Sequence, residues 1–255
     1  MNGRLANFRL VLLAILVAGC ASTAERDAER ARKEQMLLTN LQLSAEYLQR
    51  GQVQYAQERL NKAVEMAPDD SRVNNMMGLL YWRLGDQERA RHFFREAVDA
   101  EPGNPEAFNN YGVFLCSQGK IDEAEPWFKK ALADPLYKTP AEANVNAGVC
   151  LMRKPAPAVA EEYFRAALKV NPKSSVALYQ MAKISYDSGK TLAARGFIER
   201  FFEISNDTPE ALLLAAKIEQ AMRNKNQAAS YALRLRGKFP DSPEAKQLGT
   251  GRSPN

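Results

Sequence analysis

The chain repeats itself: a sparse pattern of residues recurs at a spacing of 34 from about Leu37 to Pro240, and this constrains the fold more than composition does. The clearest copy holds Gly78, Tyr81, Gly85, Ala90, Phe94, Ala97 and Pro102. One period earlier stand Ser44, Tyr47, Gly51, Ala56, Leu60, Ala63 and Pro68. One period later stand Gly112, Leu115, Gly119, Ala124, Phe128 and Ala131, with Pro135 one place early. Two extra residues near 136–140 shift the frame, which resumes with Gly148, Leu151, Pro155, Ala160, Phe164, Ala167 and Pro172. A fifth copy reads Ala182, Gly189, Ala194, Ile198, Phe201, Asn206, and a weaker sixth reads Ala216, Ala228, Ala232, Leu235, Pro240. Each position has a physical reason. Small residues let two helices approach closely, and the apolar residue four after each alanine fills the gap toward the next repeat. The recurrent glycine permits the tight turn between the helices, and proline ends the second one.

This period and these offsets resemble the tetratricopeptide repeat (TPR). The resemblance implies an all-α fold, a TPR solenoid of six helix-turn-helix repeats in a right-handed superhelix. The repeats span 37–70, 71–104, 105–140, 141–174, 175–208 and 209–240, leaving 241–255 as a C-terminal tail, disordered from Gly249. The core then lies between neighbouring repeats and not around one centre. Repeat six carries polar Glu219, Gln220, Arg223 and Asn224 and reads as a capping repeat that faces water.

Residues 1–19 read as an address. Arg4 and Arg9 precede an apolar run over 10–17 that is too short to span a bilayer. Val17-Ala18-Gly19-Cys20 then resembles a bacterial lipobox, which implies cleavage before Cys20 and lipidation there. Ala21 and Ser22 follow, with no aspartate of the kind that retains lipoproteins at the inner membrane, so the rule implies the outer membrane. Several acyl chains make a firm anchor. Residues 20–36 mix charges with almost no apolar stripe and read as a lipidated tether, disordered near Cys20 and helical near its end.

The chemistry of catalysis is missing from the pattern. The sequence holds a single histidine, His92, no Gly-rich phosphate loop, no Ser/His/Asp set and no metal-ligand spacing. The expectation is no enzyme, no cofactor, no metal and no small-molecule substrate. Removing Arg4 and Arg9 takes the net charge of +5 to +3, and an envelope address excludes intracellular nucleic acid as a partner. Cys116 and Cys150 fall on the first helices of consecutive repeats, which pack side by side. In an oxidising periplasm a pair within reach closes, so a disulfide is expected; the alternative is two separate small core residues.

The TPR resemblance also implies a concave groove lined by first helices. The lining offsets give Arg72, Asn75, Leu79, Trp82 and Arg83, then Asn109, Asn110 and Val113. They continue with Val145, Asn146, Val149, Met152 and Arg153, and end at Tyr179, Lys183 and Tyr186. Asparagine is a poor mid-helix residue, so the pairs at 74–75, 109–110 and 144/146 point to a use. Its amide donates and accepts at once, which suits the backbone of an extended peptide; the alternative is pairing between neighbouring helices. The charged clamp that some TPRs use for a C-terminal carboxylate is not evident.

A more specific resemblance rests on named stretches. They are Glu46-Tyr47-Leu48-Gln49-Arg50-Gly51, Asn109-Asn110-Tyr111-Gly112-Val113-Phe114-Leu115, Ala133-Asp134-Pro135-Leu136-Tyr137 and the 228–235 segment. With the lipobox, they make the chain similar to the outer-membrane lipoproteins of type IV pilus biogenesis and stability, a family that includes pilotins. The resemblance implies that the groove binds a subunit of the pilus secretin and promotes its localisation and multimerisation at the outer membrane. Stabilisation of the pilus fibre, or service as an adaptor for another envelope machine, are the alternatives.

Overall fold

The computed structural model describes residues 2–100, 103–154 and 157–249, with side chains at Thr23 and from Glu25 to Leu248. The side chain of Cys20, and Pro102 and Pro155 of the repeat pattern, lie outside the described residues. Among the described residues there are thirteen helices and no strand. Six pairs follow one another: α1 (Asn2–Gln49) with α2 (Val53–Met66), α3 (Ser71–Arg83) with α4 (Gln87–Asp99), and α5 (Pro105–Ser117) with α6 (Ile121–Leu132). Then come α7 (Pro140–Leu151) with α8 (Ala158–Val170), α9 (Ser175–Asp187) with α10 (Thr191–Ile204), and α11 (Pro209–Ala221) with α12 (Lys225–Lys238). A last helix, α13, spans Pro243–Gly249. The chain forms two compact units, Met1–Ala107 and Phe108–Asn255.

Several helices begin where side-chain oxygens accept from open backbone donors. Asp70 caps the Arg72 N–H, Asp86 that of Arg89, Ser174 that of Ala177 and Thr208 that of Ala211. Five of the paired turns close with a bond from a backbone N–H to the carbonyl five residues back, as from the Asp86 N–H to the Tyr81 carbonyl at 2.9 Å. Gly85 takes φ +80° there, a value an L side chain rarely adopts. In repeat six the same place is held by Arg223, which adopts φ 61° without being glycine.

Close approach within a pair is set by small residues under rings. A Cβ added at Gly78 would meet the Phe94 ring at 2.7 Å, one at Gly112 the Phe128 ring at 2.9 Å, and one at Gly148 the Phe164 ring at 2.7 Å. All three rings are fully buried. One of them also reaches the next repeat: Phe164 shares a cluster with Ala177, Met181 and Ile184 of α9. In the first unit, α1 packs on α2 and α3 through Leu37, Leu41, Leu60, Val73 and Met77.

Three expectations are corrected at the ends. The tether is not disordered near Cys20: α1 runs without a break through residues 20–36 into the first repeat, with its exposed side chains over 25–36. Residues 241–249 are not a plain tail, because α13 packs on α11 and α12. Glu219 does not face water. It is 2% exposed, held by Arg195 of α10 at 3.0 Å and by the Asn224 amide at 2.9 Å. A buried carboxylate needs such partners, and the neighbouring helix supplies them.

Candidate functional site

In the first unit the expected groove residues sit on α3. Leu79 and Trp82 are half-buried and Arg83 is exposed, but Asn75 is only 4% exposed. Trp82 leans edge-on against Phe94, with ring centroids 6.4 Å apart. Arg72 is committed within the fold: its guanidinium reaches Asp70 at 2.6 Å and Glu34 of α1 at 2.5 Å. Those hydrogen bonds hold both carboxyls below their ordinary values and push the Arg72 guanidinium further up.

In the second unit α5 and α7 are tied together. Cys116 and Cys150 form a disulfide with Cα atoms 5.8 Å apart. The Asn146 amide donates to the Asn109 carbonyl oxygen at 3.2 Å, and Arg153 donates to the Cys116 backbone carbonyl at 2.6 Å. Asn109 is 5% exposed and donates in turn toward Asn110. Asn75 and Asn109 are therefore corrected from groove-lining to buried residues, and the inter-helix alternative holds for Asn109. Asn74 and Asn144 behave alike, each donating to a proline carbonyl, Pro68 and Pro140, ahead of or at the start of its helix. Asn110, Val113 and Asn146 remain half-buried and Val149 is 42% exposed, so these still present surface.

Beyond them a trough crosses α7, α9 and α11 as three adjoining hollows of about 240, 310 and 350 Å³. The first is walled by Glu142, Val145 and Asn146; Val176 joins it to the second, where Phe201 and Thr208 lie. Tyr179 and Glu210 join the second to the third, floored by Leu213 and Leu214 and closed by Glu244 of α13. Burial pushes the Tyr179 hydroxyl up, and the carboxylates of Glu210, Glu244 and Asp187 add to the rise. Reasoning from repeat offsets found Tyr179, Lys183 and Tyr186. It missed Glu210, Leu213, Leu214 and Glu244, whose signal lay in the weak sixth repeat and in α13.

Among the described residues no group of His, Cys, Asp and Glu is arranged to hold a metal ion, and no helix is long and apolar enough to cross a membrane. What the surface offers is shape, apolar floor and polar rim, the chemistry of protein recognition.

The chain belongs to the tetratricopeptide repeat family, whose models match residues 41–105, 75–139 and 210–242. Among its relatives, it is homologous to the type IV pilus assembly protein PilF of Pseudomonas aeruginosa, 27% identical over 93% of this chain and 95% of PilF. A solved structure of P. aeruginosa PilF superposes with a TM-score of 0.80 at 26% identity, covering 86% of this chain and 99% of that one. The structure of PilW, a widely conserved type IV pilus biogenesis factor, superposes at 0.75 with 29% identity, over 85% and 99%.

Proposed function

We propose that the protein is a non-catalytic, lipid-anchored component of type IV pilus biogenesis at the periplasmic face of the outer membrane. It binds a subunit of the pilus secretin through its repeat groove and promotes localisation and multimerisation of that secretin. One observation carries the reading: the homology with PilF and PilW spans nearly the whole chain and nearly the whole of each relative, repeats and connections together. The surface of the second unit supports it, because exposed Val149 and half-buried Tyr179 supply apolar anchors of the sort that dominate binding energy. Anchoring through Cys20 would raise the local concentration of both partners at the membrane, so a modest intrinsic affinity suffices.

The test is a deletion strain examined for surface pili and for heat-resistant secretin multimers in the outer membrane. Loss of multimers with retained monomer, restored by the wild-type gene and not by Cys20→Ala, is the expected result. Normal multimers with few pili would replace this reading with fibre stabilisation. No effect on either would move the protein to another envelope machine.

A further inference from the structure

The trough in the second unit carries an electrostatic signature that the repeat pattern does not require. Its floor is apolar: Val145, Val176, Tyr179, Leu213 and Leu214 line it, and Val176 is 45% exposed. Its rim is charged. Lys183 is closed onto Asp187 at 3.0 Å, which leaves Lys217 as the remaining cation against Glu142, Glu210 and Glu244. Those three carboxylates pair with no cation among the described residues. Each lies in the first turn of its own helix. Asn146 uses its amide nitrogen on Asn109, and its own carbonyl oxygen receives no hydrogen bond among the described residues.

We propose that this trough, closed at its far end by α13, selects an extended peptide whose apolar side chains alternate with basic ones. The proposal deepens the partner-binding function above and rests on it. An extended chain sends successive side chains to opposite sides, so alternate residues meet the floor while those between them reach the rim. Neighbouring helices pack about 10 Å apart, so the run from α7 to α11 is roughly 20 Å, or about six residues of extended chain. The Asn146 carbonyl accepts a backbone N–H of the ligand at one end. Glu210 and Glu244 receive a lysine or arginine at the other, beside the Tyr179 ring. The excess of carboxylates over cations sets the sign of the preferred ligand and rejects acidic segments by repulsion.

The experiment uses the full chain in mild detergent and two fluorescein-labelled eight-residue peptides, one alternating leucine with arginine and one alternating leucine with glutamate. Anisotropy at low salt should show the arginine peptide binding roughly tenfold more tightly, with the gap shrinking as salt rises. The double variant Glu210→Gln/Glu244→Gln should lose that preference with an unchanged melting curve, and Tyr179→Ala should weaken the arginine peptide further. Equal affinities, a preference that survives the double variant, or no binding by the arginine peptide would each overturn the proposal. The secretin assay separates the two levels. If the peptide preference fails while secretin multimers still depend on the protein, the selectivity is wrong and the proposed function stands. If multimers form without the protein, the function itself is wrong.

Discussion

Gly78→Ala should destabilise the first unit although alanine is the better helix former. An added Cβ would sit 2.7–2.9 Å from three atoms of the Phe94 ring, closer than van der Waals contact allows. The ring has no room to retreat, being fully buried and abutted by Trp82. Overpacking of this kind costs up to about 3 kcal/mol, and the gain in helix propensity returns about 1 kcal/mol. The net loss is about 2 kcal/mol, which for a chain of this size lowers the melting temperature by roughly 4–8 °C. The chain contains its own control. Sixteen residues separate Gly78 from Phe94, Gly112 from Phe128 and Gly148 from Phe164, whereas Ser44 faces Leu60 and Ala182 faces Ile198 at the same spacing. A larger residue at the first place accompanies a smaller one at the second. In a Phe94→Ile background, Gly78→Ala should therefore stabilise, by about 1 kcal/mol, because propensity is then unopposed. Urea and thermal melts of the four proteins, followed by far-ultraviolet circular dichroism, complete the cycle. An equal effect of Gly78→Ala in both backgrounds would refute the steric argument.

Three shorter predictions follow from the same geometry. Cys150→Ser should lower stability under oxidising conditions by roughly 4 kcal/mol, the loop-closure estimate for a 34-residue separation, and reductant should erase most of the difference from wild type; an equal loss in reductant would mean that the buried thiols act by packing alone. Asn109→Ala should cost about 1–3 kcal/mol by leaving the Asn146 amide without its acceptor, whereas Val149→Asp should leave the melt unchanged and weaken partner binding; the reverse pattern would make Asn109 a contact residue after all. Asp70 and Glu34 should titrate by NMR below their ordinary 3.8 and 4.5, and Arg72→Ala should return both toward those values. Since both folded values are depressed, their contribution to stability is complete above the ordinary values and is lost as pH falls through the depressed ones; titration at the ordinary values in the wild type would contradict the ion-pair network.

The repeat architecture was legible because special residues mark it. Gly85 is needed for a left-handed turn, Gly78 for a ring to lie over the helix, and proline for an ending; each requirement is local and survives in any neighbourhood. The disulfide partners were legible because first helices of successive repeats pack side by side, and the two cysteines lie within two places of the same register on them. The groove was only partly legible. Offsets assign a face of a helix, but Asn109 and Asn146 share a face and part company over one hydrogen bond between α5 and α7. Arg223 stood where a glycine was absent, and α13 is seven residues long, too short to carry a period.

The amino-acid sequence by itself determined the helix pairs, their turns and the close approach within each pair, all of them consequences of backbone freedom and side-chain size. Tertiary structure alone decided which polar residues are used up inside the fold. It buried Asn75, Asn109 and Glu219, engaged Arg72 and Arg153, and left Val149, Glu210 and Glu244 facing outward. Burial and pairing depend on what the neighbouring helix brings to the same point in space, and a position in a repeat cannot state its neighbour.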